Sequence, residues 1–254
     1  MNTEAELISA PFQHFRRSIF SMYDEPVATR MWQSFTEYVT LVMNDDLASV
    51  GSEIDSTLVE TGLPIELSVS LCRTEPVPTL RFAAEPCAYL PVLKRQALAQ
   101  RRIAELLTHL EQNEHTKLFE DIYLRLSAQT NQARASVGWL FHVSLMVERP
   151  PACRVYFAPV PAHDPATCKP MLKGRAFVDT VFDRVISVFE LCGMDDHIPL
   201  LRKMYDLAVN EEGSVPAENF ITFLGADFRK GEPVGLKVYF NPQALRKAER
   251  NGFG

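Results

Sequence analysis

Two heptads of this chain, CRVYFAP at 153–159 and LKVYFNP at 236–242, set a cation, then a tyrosine two residues on, then a proline five residues after the cation. A weaker copy, LRFAAEP at 80–86, keeps the cation and the proline. With a period of two, Arg154 and Tyr156 fall on one side of a strand and Val155 and Phe157 on the other; Lys237 and Tyr239 likewise oppose Leu236, Val238 and Phe240. A face made of guanidinium, ammonium and phenol groups offers charged donors to an anion and ring faces to an apolar or cationic group. The reverse face is apolar and must be covered.

The surrounding pattern predicts the elements that hold these residues. PIELSVSL at 64–71 alternates strictly and, with TLRFAAE at 79–85, reads as a hairpin with a long loop. WLFHVSLMV at 139–147 and ACRVYFAP at 152–159 flank ERPP as a second hairpin, and NFITFLGADF at 219–228 with LKVYFNP flanks RKGEPVG as a third. Between them lie helix-spaced blocks at 3–21, 27–61, 91–132 and 173–210, with Gly62 before Pro64 as a helix stop and Gly193 dividing the last block. Residues 243–254 predict a short terminal helix. Arg81, Arg154 and Lys237 thus each sit on the second strand of a hairpin, five residues before Pro86, Pro159 and Pro242.

The fold class expected is α+β, a single domain over 1–254 with helices covering one side of an antiparallel sheet. Two arrangements satisfy the pattern. An open sheet would leave the cations and phenols in water; a sheet curled with its polar face inward would make a lumen jacketed by helices. A surface explanation predicts mixed polar residues, so the basic-x-Tyr pattern at one register in two hairpins favours the lumen.

Composition narrows the partners. A net charge of -6 argues against nucleic acid, whose phosphates are met by a surplus of Lys and Arg. MNTEAELISAPF has neither a basic nor an apolar leader region, and no run of about 18 apolar residues occurs, so no membrane partner and a cytoplasmic location are expected. Cys72, Cys87, Cys153, Cys168 and Cys192 are widely spaced without a CxxC pair and read as reduced thiols. The basic run at 93–102 reads as a solvated helix face. Glu85 reads as a rim residue at a strand end.

The order helix block, PIELSVSL and TLRFAAEP, helix block, CRVYFAP, helix block, LKVYFNP resembles the aromatic prenyltransferases of the ABBA or PT-barrel fold, in particular the dimethylallyltryptophan synthase branch. The resemblance spans roughly residues 60–245 and implies repeated ααββ units whose strands form an antiparallel barrel, short or incomplete here, around a reaction chamber. It implies transfer of a dimethylallyl or longer prenyl group from an allylic diphosphate to an electron-rich aromatic, an indole before other acceptors. Arg81, Arg154 and Lys237 would hold the diphosphate, with Tyr156 and Tyr239 donating to it and shielding the allyl cation. Glu66 matches the carboxylate that takes the proton from the attacked ring.

The sequence departs from the family pattern in having Arg154 where lysine is usual, and Gly235 where an arginine often stands. Asp45-Asp46 and Asp195-Asp196 do not continue into a DDxxD motif, and the resemblance implies a cationic cage instead of magnesium, so no cofactor or obligatory metal is expected. The substrates would be small molecules, and a second copy of the chain could close an incomplete barrel as a homodimer. Two readings from other classes stay open: a non-prenylating barrel protein, such as a cyclase or small-molecule binding module, and a truncated pseudo-enzyme acting as a partner subunit.

Overall fold

The structure is a computed structural model that describes residues 10–43, 65–70, 79–86, 92–110, 112–126, 140–145, 151–157, 174–208 and 221–240. In chain order these form α1 (Ala10–Met22), α2 (Glu25–Met43), β1 (Ile65–Ser70), β2 (Thr79–Ala84), α3 (Val92–His109), α4 (Asn113–Leu126), β3 (Leu140–Leu145) and β4 (Ala152–Phe157). There follow α5 (Gly174–Leu191), a 3-10 turn at Asp195–His197, α6 (Ile198–Ala208), β5 (Ile221–Phe228) and β6 (Gly235–Phe240). All six expected strands are present. They are hydrogen-bonded in chain order, β1-β2-β3-β4-β5-β6, with β1–β2 and β2–β3 antiparallel.

Mixed helix and sheet is therefore the observed class, but no closed barrel is formed among the described residues. Closure needs the first strand of the order to meet the last, and that order begins at β1 and ends at β6. The expected helical stretch at 44–61 and the terminal helix at 243–254 lie outside the described residues. Within the expected block at 91–132, of which 127–132 lie outside the described residues, the described residues form two helices, α3 ending at His109 and α4 beginning at Asn113. Gln112 is fully buried there and donates from Nε2 to the Pro151 carbonyl at 3.0 Å, a tertiary contact that helical periodicity cannot signal.

The chain divides into two compact units. The first comprises residues 1–116, 139–155 and 227–233. Its core is aromatic: Phe35 sits against Phe12, Phe15 and Trp32, and its ring meets Phe82 of β2 edge to face at 5.2 Å. Asp24 caps α2 by accepting from the Val27 amide at 3.0 Å. Leu80, Phe82 and Ala84 of β2 are fully buried, and Phe82 carries the contact with α2.

The second unit comprises residues 117–138, 156–226 and 234–254. Phe177, Val181, Val185, Val188 and Phe189 give α5 one buried face, as their spacing predicts. Gly193, at φ +66, ends α5 in a left-handed residue, and the Met194 amide donates to the Phe189 carbonyl at 2.9 Å. The helix division expected at Gly193 is thereby met. Phe119 of α4 packs beside Phe157 of β4, ring centroids 6.0 Å apart.

Candidate active site

Strand β4 alternates as its sequence demands. Cys153, Val155 and Phe157 are buried, while Arg154 and Tyr156 occupy the half-buried opposite face. β2 repeats the rule, with Leu80, Phe82 and Ala84 buried and Arg81 half-buried between them. Apolar packing on one side thus turns both arginines to the other.

In the first unit, Ser68 of β1 stands opposite Arg81, and Glu66 opposite Ala83. Cross-strand partners project to the same side of a sheet, so Glu66 and Arg81 share one face, one diagonal step apart. Glu66 is exposed. The Nε of Arg81 is buried and has no hydrogen-bond partner among the described residues. A buried donor on a permanent cation fits an anionic oxygen well, because leaving it unmade costs more than an ordinary lost hydrogen bond. In the strand order β3 separates Arg81 from Arg154, and the β2–β3 register sets Ser144 opposite Arg81 and His142 opposite Ala83.

Arg154 is not a lone cation. It donates from Nε to Oδ1 of Asp227 and from Nη2 to Oδ2 at 2.7 Å, and both side chains are only 19% exposed. Such a two-pronged pair uses the planar fork of arginine, which lysine lacks. Burial and the negative charge of Asp227 together push the neighbouring Cys153 thiol well above its usual range. Burial likewise raises Cys192, to about 11. Both described cysteines are free, in keeping with the reading of reduced, unreactive thiols.

The second unit holds both phenols of the expected site. Tyr156 lies between Tyr239 of β6 at 5.7 Å and Phe223 of β5 at 6.2 Å, measured between ring centroids. Tyr239 is half-buried and Lys237, two residues before it on the same strand, is exposed. β6 corrects one expectation: Leu236, Val238 and Phe240 are half-buried and not a covered apolar face, so burial there does not alternate. Glu85 corrects another. It lies just beyond β2 and is buried, only 1% exposed, and is no rim residue.

The structure therefore brings together Tyr156 with Tyr239, places Glu66 and Arg81 on one face, and joins Arg154 to a carboxylate absent from the sequence-derived site. Asp227 and Phe223 are the residues that sequence reasoning missed. Their only signal was parity in NFITFLGADF, where they oppose Leu224, Ala226 and Phe228, all fully buried. Among the described residues no three His, Cys, Asp or Glu side chains stand together as a metal site. No described helix is long and apolar enough to cross a membrane.

Comparison with solved structures returns the same fold at low identity. The 5-dimethylallyltryptophan synthase from Streptomyces coelicolor aligns at 16% identity with a TM-score of 0.56, over 89% of this chain and 55% of its own. The 6-dimethylallyltryptophan synthase from Micromonospora olivasterospora, solved in complex with DMASPP and Trp, aligns at 14% identity and 0.58, over 87% of this chain and 59% of its own. The apo form of the prenyltransferase PriB aligns at 14% identity and 0.55, over 89% and 54%. This chain thus spans a little over half the length of the solved structures it matches. No curated protein matches it. The family profile of tryptophan dimethylallyltransferase matches residues 33–252, most of the chain, and the chain belongs to that family.

Proposed function

We propose that this protein transfers a prenyl group, dimethylallyl in the first instance, from an allylic diphosphate to an electron-rich aromatic ring, with an indole such as tryptophan as the favoured acceptor. The observation that carries this reading is the setting of Arg81: a cation turned from the core onto the polar side of its strand, with a buried Nε that no described protein group satisfies. Family membership supplies the reaction class.

In this reading Arg81, Arg154 and Lys237 hold the diphosphate. As the allylic C–O bond breaks, its electron pair leaves with the diphosphate, and fixed cations stabilise the charge that develops there. The pair of rings at Tyr156 and Tyr239 faces the allyl cation, shielding it from water, while their hydroxyls donate to phosphate oxygens. A ring carbon of the acceptor then forms the new C–C bond. Glu66 accepts the proton that the ring carbon loses, and aromaticity returns. Because side-chain cations supply the counter-charge, the reading requires no metal and no other cofactor. The complex of the Micromonospora enzyme with DMASPP and Trp is consistent with this pairing of donor and acceptor.

Mass spectrometry of incubations with dimethylallyl diphosphate and a panel of indoles and phenols, with and without chelator, tests the reading. A prenylated indole formed equally in both conditions is expected. Absence of any prenylated product from folded protein would leave the two non-transferring readings, a binding module or a partner subunit.

A further inference from the structure

We infer that Asp227 is a positioning residue that orients the guanidinium of Arg154 towards the diphosphate. This rests on the donor-binding reading above and goes beyond it, since that reading assigns no role to Asp227.

The geometry is specific. Nε and Nη2 of Arg154 meet both oxygens of Asp227, so the plane of the guanidinium and its position along the strand are fixed together. A single contact would leave the long side chain free to rotate; two parallel donors do not. At 19% exposure each, both groups are shielded enough from solvent for the pairing to hold.

Asp227 is itself held. The turn directly after it is pinned by the first turn of α4: His115, buried, donates from Nε2 to the Arg229 carbonyl at 2.8 Å, and Glu114 accepts from the Gly231 amide at 3.1 Å. The adjacent Phe228 is fully buried, with its ring 5.7 Å from that of His115. The carboxylate therefore stands on anchored backbone, as a residue that fixes another residue's direction must.

Two effects of Asp227 on a bound diphosphate have opposite signs. Coulomb repulsion alone makes the carboxylate unfavourable to an anion, so its removal would tighten binding. Orientation makes it favourable, because a guanidinium already aimed loses less freedom when it binds. The pairing geometry points to orientation as the larger effect.

Binding of dimethylallyl thiodiphosphate, measured by calorimetry on the full chain, separates them. Asp227→Asn keeps the shape and removes the charge; Asp227→Glu keeps the charge and shifts the carboxylate by one methylene. Both are expected to bind the analogue roughly tenfold more weakly than the parent, the scale of one charge-assisted hydrogen bond. In an Arg154→Ala background, Asp227→Asn is expected to cause no further loss, a coupling that general loosening of the fold would not produce.

Equal or tighter binding by Asp227→Asn, with Arg154→Ala weakened, would overturn this inference and leave the donor site standing. Equal binding by the parent and Arg154→Ala would remove Arg154 from the donor site, and this inference with it. Should Asp227→Asn not fold, Arg154→Lys keeps the charge without the fork: weaker binding is expected, and unchanged binding overturns the proposal.

Discussion

Tyr156 and Tyr239, on strands β4 and β6, pack with ring centroids 5.7 Å apart and planes inclined at 52°. Two phenols in contact offer both ring faces and hydroxyls, and the two contributions can be separated by substitution. Tyr156→Phe keeps the ring and is expected to lower kcat about tenfold, the worth of one modest donor. Tyr156→Ala removes the shield as well and is expected to divert donor to dimethylallyl alcohol by water capture. The ratio of alcohol to prenylated product, read by chromatography, checks this; an unchanged ratio in Tyr156→Ala contradicts the shielding role.

Glu66 shares the face of Arg81 and is exposed. Glu66→Gln is expected to bind donor analogue as the parent does and to lose turnover by about 10²-fold or more, the range of general base catalysis. Parent-like turnover in the variant would remove Glu66 from the reaction.

Legibility followed burial in part. The alternation of β4 was readable because that strand buries one face completely, which leaves Arg154 and Tyr156 no choice of side, whereas β1, the strictest alternation in the sequence, buries only Ile65 and leaves Val69 exposed. β6 reads just as regular in sequence, but its apolar residues are only half-buried, so the pattern overstated the cover. The break between α3 and α4 carries no glycine or proline to announce it; Gln112 there is buried and donates to the Pro151 carbonyl. The partnership of Arg154 and Asp227 joins residues in two different hairpins, and only strand adjacency reveals it. Glu85 misled for a related reason: a strand end looks like a rim unless the covering elements are known.

Tyr205 gives a prediction about pH. Its hydroxyl donates to Asp179, which also accepts from Arg175 Nε at 2.7 Å, and its ring stacks on Phe182 at 4.3 Å. Burial first, then the hydrogen bond and charge of Asp179, push the phenol from its usual value near 10 up to about 12. A raised value in the folded state means the stabilisation is complete below the unfolded value and is lost as pH rises through the folded one. Thermal melts of the parent and Tyr205→Phe should therefore show the parent's advantage constant from neutral pH to pH 10 and fading between pH 10 and about 12. An advantage independent of pH across that window contradicts the assignment.

Phe82 gives a prediction about stability. It is fully buried and meets Phe35 edge to face, tying β2 to the helices that set the direction of Arg81. Phe82→Ala is expected to cost about 3–5 kcal/mol, and Phe82→Leu less, because the smaller cavity collapses more readily. Denaturant titration measures both; a loss below about 1 kcal/mol in Phe82→Ala would show that this contact does not hold the core.

The most direct test of the account is binding of dimethylallyl thiodiphosphate to the folded parent, Arg81→Ala and Lys237→Ala, by calorimetry in the presence of chelator. The account predicts binding by the parent without added metal and a loss of roughly tenfold or more in each variant. No binding by the folded parent, or equal binding by all three, would contradict it.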